Sequence, residues 1–165
     1  MKIILVGGGK VGTALARQLS EEGHNVTVID TNKARVEHLS ESYDVMGIVG
    51  NGSSITTLSE AGIEEADVFI AVTGSDELNL LCCMFAKKAG HCHAIARVRN
   101  PSYSHELDFI KKQIGISYVC WNLSNKDEKS ALLTPACDKT SGFTYEDLSD
   151  EGKWLYGVLT SHVTQ

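Results

Sequence analysis

Three glycines near the start of the chain stand at a spacing with a known mechanical use. Residues 7–12 read Gly7-Gly8-Gly9-Lys10-Val11-Gly12, so Gly7, Gly9 and Gly12 fit G-x-G-x-x-G. In such a turn the first glycine permits a tight bend and the second lets backbone approach a pyrophosphate. The third lets a helix pack close on a strand. A helix opening here would direct its free amides and the positive end of its dipole at phosphates. The pattern alone is a weak signal, and its surroundings strengthen it. The aliphatic run Lys2–Val6 precedes it, and Val11, Leu15, Ala16 and Leu19 follow at helical spacing. Asp30 ends the next apolar run, 18 residues past Gly12. A carboxylate there accepts hydrogen bonds from ribose hydroxyls and repels a 2′-phosphate, which favours NAD or NADH over the phosphorylated forms. The plainer role for Asp30, capping the following helix, fits the register of the glycines less well.

Further groups fall at the ends of later apolar runs. Gly50-Asn51-Gly52 follows the third, where small residues leave room for an adenine or a ribose. Thr73-Gly74-Ser75-Asp76-Glu77 follows the fourth, and Asp76 suits either this crevice or a helix cap. Arg97 is an isolated cation in the fifth run, suited to a phosphate or to an acid across an interface. Cys82 and Cys83 lie in the apolar stretch 80–85 and read as core packing. His91-Cys92-His93 places two histidines at i and i+2, yet no second cluster supplies further metal ligands, so it reads as a helix-to-strand turn.

The elements that must position these groups alternate. Strands are expected at 2–6, 25–30, 45–49, 67–72, 93–98 and 116–119. Helices are expected from the glycine turn to Gly23, after Asn32, from Ser53 or Ser54 to about Gly62, from Asp76 to Ala89, and from Pro101 to about Gln113. Six aliphatic strands alternating with helices predict an α/β fold: a doubly wound, Rossmann-type parallel sheet of six strands with helices on both faces. Ligands bind such sheets at the switch point, outside the carboxyl ends of the strands. Residues 120–165 hold both tryptophans, Trp121 and Trp154, and lose the alternation. Short helices around 129–133 and 150–159 are the regular structure expected in this irregular tail.

Composition narrows the partners. The chain has 165 residues, enough for one domain at about 100–200 residues each. Its 15 basic and 21 acidic residues give a net charge of −6, which argues against a general nucleic-acid binder. No apolar run approaches the roughly 18–20 residues of a membrane span, so direct membrane insertion is not expected. Five cysteines, an odd number, with no secretory signal read as reduced thiols of a cytosolic protein.

Together these blocks resemble a known family. Val6–Gly12, Val28-Ile29-Asp30, Val49–Gly52, Ala71–Asn79 and Ala96-Arg97-Val98-Arg99-Asn100-Pro101 are similar to the N-terminal RCK or KTN domain (TrkA-N) of Trk/Ktr potassium-uptake regulatory subunits. The similarity covers residues 1–119, and its Thr-x-Ser-Asp-Glu and Ala-Arg-Val-x-Asn-Pro blocks are not general features of dinucleotide folds. The resemblance implies a cytoplasmic protein that binds NAD(H), or ATP or ADP in the same crevice. It implies dimers or rings at the inner face of the plasma membrane, passing the bound state to a potassium-transporting membrane subunit. By position, Gly7, Gly8, Gly9, Lys10 and Val11 would hold the phosphates and Asp30 the ribose, with Thr73, Gly74 and Arg97 completing the site. Asn51 stands where many members carry an aspartate, which leaves room for a different nucleotide preference.

After Val119 the chain departs from the family pattern. A crossover helix and a second ligand-binding lobe are expected there, whereas residues 120–165 read as a divergent or truncated tail. Two other functions are compatible with the crevice. A small NAD-dependent oxidoreductase would need a substrate domain and a proton donor that the sequence does not offer, and the fold alone does not decide. A free-standing nucleotide or redox sensor would partner something other than a potassium channel, and its redox form would need a thiol in an activating, positively charged site.

Overall fold

A computed structural model describes residues 1–100, 102, 103, 106–116 and 118–120. Strands β1 (Lys2–Val6), β2 (Asn25–Asp30), β3 (Val45–Val49), β4 (Val68–Ala71) and β5 (His93–Arg97) alternate with helices α1 (Lys10–Glu21), α2 (Lys33–Ser42), α3 (Ile55–Glu60) and α4 (Asp76–Ala89). Helix α5 (Leu107–Ile114) leads to a short edge segment, β6 (Tyr118–Cys120), parallel to β5. Every pairing is parallel, and the lateral order is β3-β2-β1-β4-β5-β6. Sequence-adjacent strands run outward in one direction to β3 and in the other from β4. The switch point therefore lies between β1 and β4, above the glycine turn.

The two faces of the sheet are covered separately because successive strand residues point to opposite sides. On one face Ile3, Leu5, Val26, Val28 and Ile70 pack with Leu15, Ala16 and Leu19 of α1 and Leu39 of α2. On the other Ile4, Val6, Ile29, Phe69 and Ala71 pack with Leu58 of α3 and Leu80, Cys83 and Ala86 of α4. Local chemistry sets the helix ends. The Asn32 side chain accepts from the Arg35 amide at 3.2 Å to start α2, and Ser75 accepts from the Leu78 amide at 3.1 Å to start α4. Ser54 occupies the position before α3 without a side-chain capping bond.

The five strands and four helices expected over residues 2–98 are placed within a few residues, and one larger difference follows them. Helix α5 starts at Leu107, not at Pro101. The chain after β5 first makes a tight turn in which the Asn100 side chain accepts from the Ser102 amide and hydroxyl at 3.0 and 2.7 Å. Asparagine side chains hold their own downstream backbone in this way and compete with helix entry. Pro101 and residues 121–165, with the helices expected there and Cys137, lie outside the described residues.

Cys82, Cys83 and Cys92 are buried in the core. Burial pushes the Cys82 thiol up to about 12, and drives those of Cys83 and Cys92 in the same direction. The thiolate is the reactive form. Iodoacetamide at neutral pH is therefore expected to leave these three unmodified in the native protein and to label all three in denaturant. Peptide mapping checks this, and rapid native labelling of any of them contradicts the packing. His91 and His93 are exposed while Cys92 points into the core, so the three do not share one side of the strand.

Candidate functional site

A crevice opens at the carboxyl ends of the central strands. It is lined by Val6, Gly7 and Gly9 from the β1 turn, and by Ile29, Asp30, Thr31 and Arg35 from the end of β2 and the start of α2. Gly50, Asn51 and Gly52 follow β3, and Val72, Thr73, Gly74 and Leu78 follow β4. Its volume of about 240 Å³ is below the range of roughly 300–1,000 Å³ that encloses a drug-sized ligand, so a nucleotide would lie along it.

The glycine turn is built as its spacing predicts. Gly7 has φ +106°, a conformation strained for any side chain, and its N–H donates to the Ile29 carbonyl at 2.8 Å. Gly12 sits so close beneath the turn that a Cβ there would stand 1.7 Å from the Gly7 carbonyl oxygen. A Cβ on Gly9 would meet nothing within 4 Å, so that backbone faces open space. Gly8 is buried and turned the other way, and its N–H donates to Asp30 Oδ2 at 2.6 Å. Lys10 and Val11 are exposed at the start of α1 and do not line the crevice.

Asp30 is buried at 9% exposure, yet it borders the crevice. Its second oxygen accepts from the Asn32 amide at 2.7 Å, and Arg35 Nη1 lies 3.7 Å from Oδ2. The carboxylate thus fixes the glycine turn and the α2 entry together, and Arg35 places one positive charge beside it. Arg35 escaped the sequence reading. The available signal was its place five residues past Asp30, where the first turn of α2 folds back toward the end of β2. On the β3 side, Asn51 Oδ1 accepts from the Ser53 amide at 3.0 Å and hydroxyl at 2.9 Å, which holds the Gly50–Gly52 loop in a local turn. Gly52 lies against Val6, where a Cβ would come within 2.3 Å of its methyl carbon.

The β4 side is held from behind. Asn79, fully buried, accepts through Oδ1 from the Thr73 amide at 2.8 Å and the Thr73 hydroxyl at 2.7 Å. Its Nδ2 donates to the Arg97 carbonyl at 2.8 Å. Asp76 faces away from the crevice: Oδ2 accepts from the Arg99 and Asn100 amides, both at 2.8 Å, and Oδ1 from Arg99 Nε at 3.2 Å. Arg99 also donates to the Gly74 carbonyl. Asp76 therefore acts on the site through Arg99 and Gly74, and neither it nor Arg97 is among the lining residues. Beside them, Glu77 is held below the ordinary carboxylate range by its own backbone amide, the Ser75 hydroxyl and Tyr103. The same contact pushes the Tyr103 phenol up.

Comparison with known proteins places the chain. Residues 3–121 match the TrkA-N domain. The Trk system potassium uptake protein TrkA homolog of Methanothermobacter thermautotrophicus is 43% identical over 119 residues, covering 72% of this chain and 53% of that protein. The Trk system potassium uptake protein TrkA of Haemophilus influenzae is 38% identical over 122 residues, covering 72% and 27%. The chain thus spans about half of the first relative and about a quarter of the second. Among solved structures, the TrkA-N domain of inner membrane protein ybaL from Escherichia coli superposes with a TM-score of 0.65 at 25% identity, covering 73% of this chain and 87% of that one. The GsuK channel bound to NAD gives 0.61 at 23% identity over 72% of this chain and 21% of that one. GsuK bound to ADP also gives 0.61 at 23%, over 72% and 30%. With the domain match spanning most of its length, the chain belongs to the TrkA-N domain family.

Proposed function

We propose that this protein is a nucleotide-binding regulatory subunit of a potassium uptake system, taking NAD(H), or an adenine nucleotide such as ADP or ATP, in the crevice at the switch point. The observation that carries the reading is the Asp30–Gly8 bond. It makes the phosphate-binding turn and the ribose acceptor one rigid unit. The names of the TrkA relatives support the potassium system, and GsuK structures with NAD and with ADP support the ligand class. Residues 1–119 form the binding unit in this reading. Lys10 would meet the phosphates from just outside the crevice, and Arg97 would complete the site beside Thr73. The protein holds its nucleotide without converting it, in a cytoplasmic dimer or ring against the membrane subunit. Attachment to the membrane runs through that partner in this reading, and among the described residues no helix is long and apolar enough to cross a membrane.

A ligand moves a gate only by its differential affinity for the two states. The test is rubidium flux through proteoliposomes holding the potassium-transporting subunit, with this protein and each nucleotide in turn. A change in flux of about ten-fold with one nucleotide, about 1.4 kcal/mol of differential affinity, is the expected result. Flux that ignores both the protein and every nucleotide overturns the regulatory reading.

A further inference from the structure

We propose that Asn79 is a positioning residue that leaves Thr73, on the β4 wall of the crevice, able to accept hydrogen bonds and not to donate them, and so selects a dinucleotide over a nucleoside di- or triphosphate. The inference rests on the nucleotide reading above and adds the origin of selectivity within it. Two backbone groups fix the orientation of the Asn79 amide. The Arg97 carbonyl requires a donor and the Thr73 N–H requires an acceptor, so Nδ2 faces Arg97 and Oδ1 faces Thr73. The Thr73 hydroxyl lies 2.7 Å from that same Oδ1 and has to donate to it. A hydroxyl has a single proton. The longer contact to the Ser75 carbonyl, at 3.2 Å, cannot claim it at the same time.

The consequence falls on the crevice. Thr73 lines it, but its amide proton and its hydroxyl proton are both engaged by Asn79. What Thr73 retains toward a ligand is accepting capacity on Oγ1, part of which the Ser75 amide uses at a long 3.3 Å. Phosphate oxygens are acceptors and find no donor on this side chain. Ribose hydroxyls and a carboxamide N–H₂ are donors and do. In the sheet order Asp30 ends β2, the glycine turn ends β1 and Thr73 follows β4, three adjacent positions about 4.8 Å apart. A ligand with one ribose at Asp30 and its phosphates at the turn thus brings its next group to Thr73. In a dinucleotide that group is a second ribose; in a triphosphate it is more phosphate.

The experiment is calorimetric titration of the full chain with NADH, ADP and ATP, in wild type and in Thr73→Val, Thr73→Ser and Asn79→Ala. Thr73→Val keeps the amide bond to Asn79 and the side-chain shape. It is expected to weaken NADH by about five- to ten-fold and to leave ADP within about two-fold. Thr73→Ser is expected to restore NADH binding. Asn79→Ala frees the Thr73 protons and is expected to shift the NADH-to-ATP preference toward ATP. Should that variant fail to fold, the Thr73 pair still decides. Equal losses of NADH and ADP in Thr73→Val, or none, overturn the assignment, since a purely structural role would not separate the ligands. Wild type that binds ADP but not NADH overturns it as well while leaving the nucleotide reading intact. Wild type that binds none of the three overturns both.

Discussion

Gly12→Ala is expected to cost about 3 kcal/mol or more of folding stability and to abolish nucleotide binding. Its Cβ would stand 1.7 Å from the Gly7 carbonyl oxygen and 2.8 Å from the Gly7 carbonyl carbon. Both are backbone atoms, so no rotamer relieves the contact. Helix α1 or the turn must move by more than 1 Å, and α1 carries the buried Leu15, Ala16 and Leu19. Helix propensity acts the other way, favouring alanine over glycine by about 0.8–1.0 kcal/mol. Overpacking typically costs about 1–3 kcal/mol where side chains can yield, and here they cannot. The clash wins. At about 2–4 °C per kcal/mol for a chain of this size, Tm is expected to fall by roughly 6–12 °C. Gly9→Ala is the matched control. Its φ of −75° suits alanine and its Cβ would meet nothing, so Tm should hold while the added methyl obstructs the phosphates. Equal Tm losses in the two variants would contradict this division of labour between the glycines.

Asp30→Ala is expected to strike binding and stability together. The substitution removes the acceptor of the Gly8 amide at 2.6 Å and of the Asn32 amide at 2.7 Å, and leaves Arg35 without its neighbouring charge. Gly8 is buried, and an unsatisfied buried donor costs about 1–3 kcal/mol. Loss of a charged acceptor for the ribose hydroxyls weakens a nucleotide by about 1.5–3 kcal/mol, roughly 10- to 100-fold. Asp30→Asn keeps the shape and one acceptor oxygen, so it should lose less stability than alanine and still bind weakly. Thermal melts and titrations of both variants separate the two effects. Unchanged affinity in Asp30→Ala would place the ligand elsewhere.

The sheet was legible because its strands are short aliphatic runs that end in glycine, asparagine or aspartate, and because a parallel sheet buried on both faces leaves little other pattern. The glycine turn and Asp30 were legible for the same reason: each answers a backbone requirement that spacing alone encodes. Asp76 was not. Its partners, the Arg99 and Asn100 amides, lie 23 and 24 residues away, and only folding α4 against the exit of β5 brings them together. Asn79 was hidden likewise, since an asparagine inside a helix pattern gives no sign that it will bond Thr73 behind it and Arg97 across the sheet. Arg35 belongs between these cases. Its distance from Asp30 is local, but its approach to the carboxylate depends on where α2 enters.

The central claim is that the switch-point crevice binds a nucleotide through the Asp30–Gly8 unit. Titration of the purified protein with NADH, NAD, NADPH, ADP and ATP tests it most directly, with Asp30→Ala run alongside. The expected result is saturable one-site binding of NADH or an adenine nucleotide, weaker binding of NADPH than of NADH, and a 10- to 100-fold loss in the variant. Folded wild-type protein that binds none of the five, or that binds NADPH as well as NADH with no loss in Asp30→Ala, would contradict it.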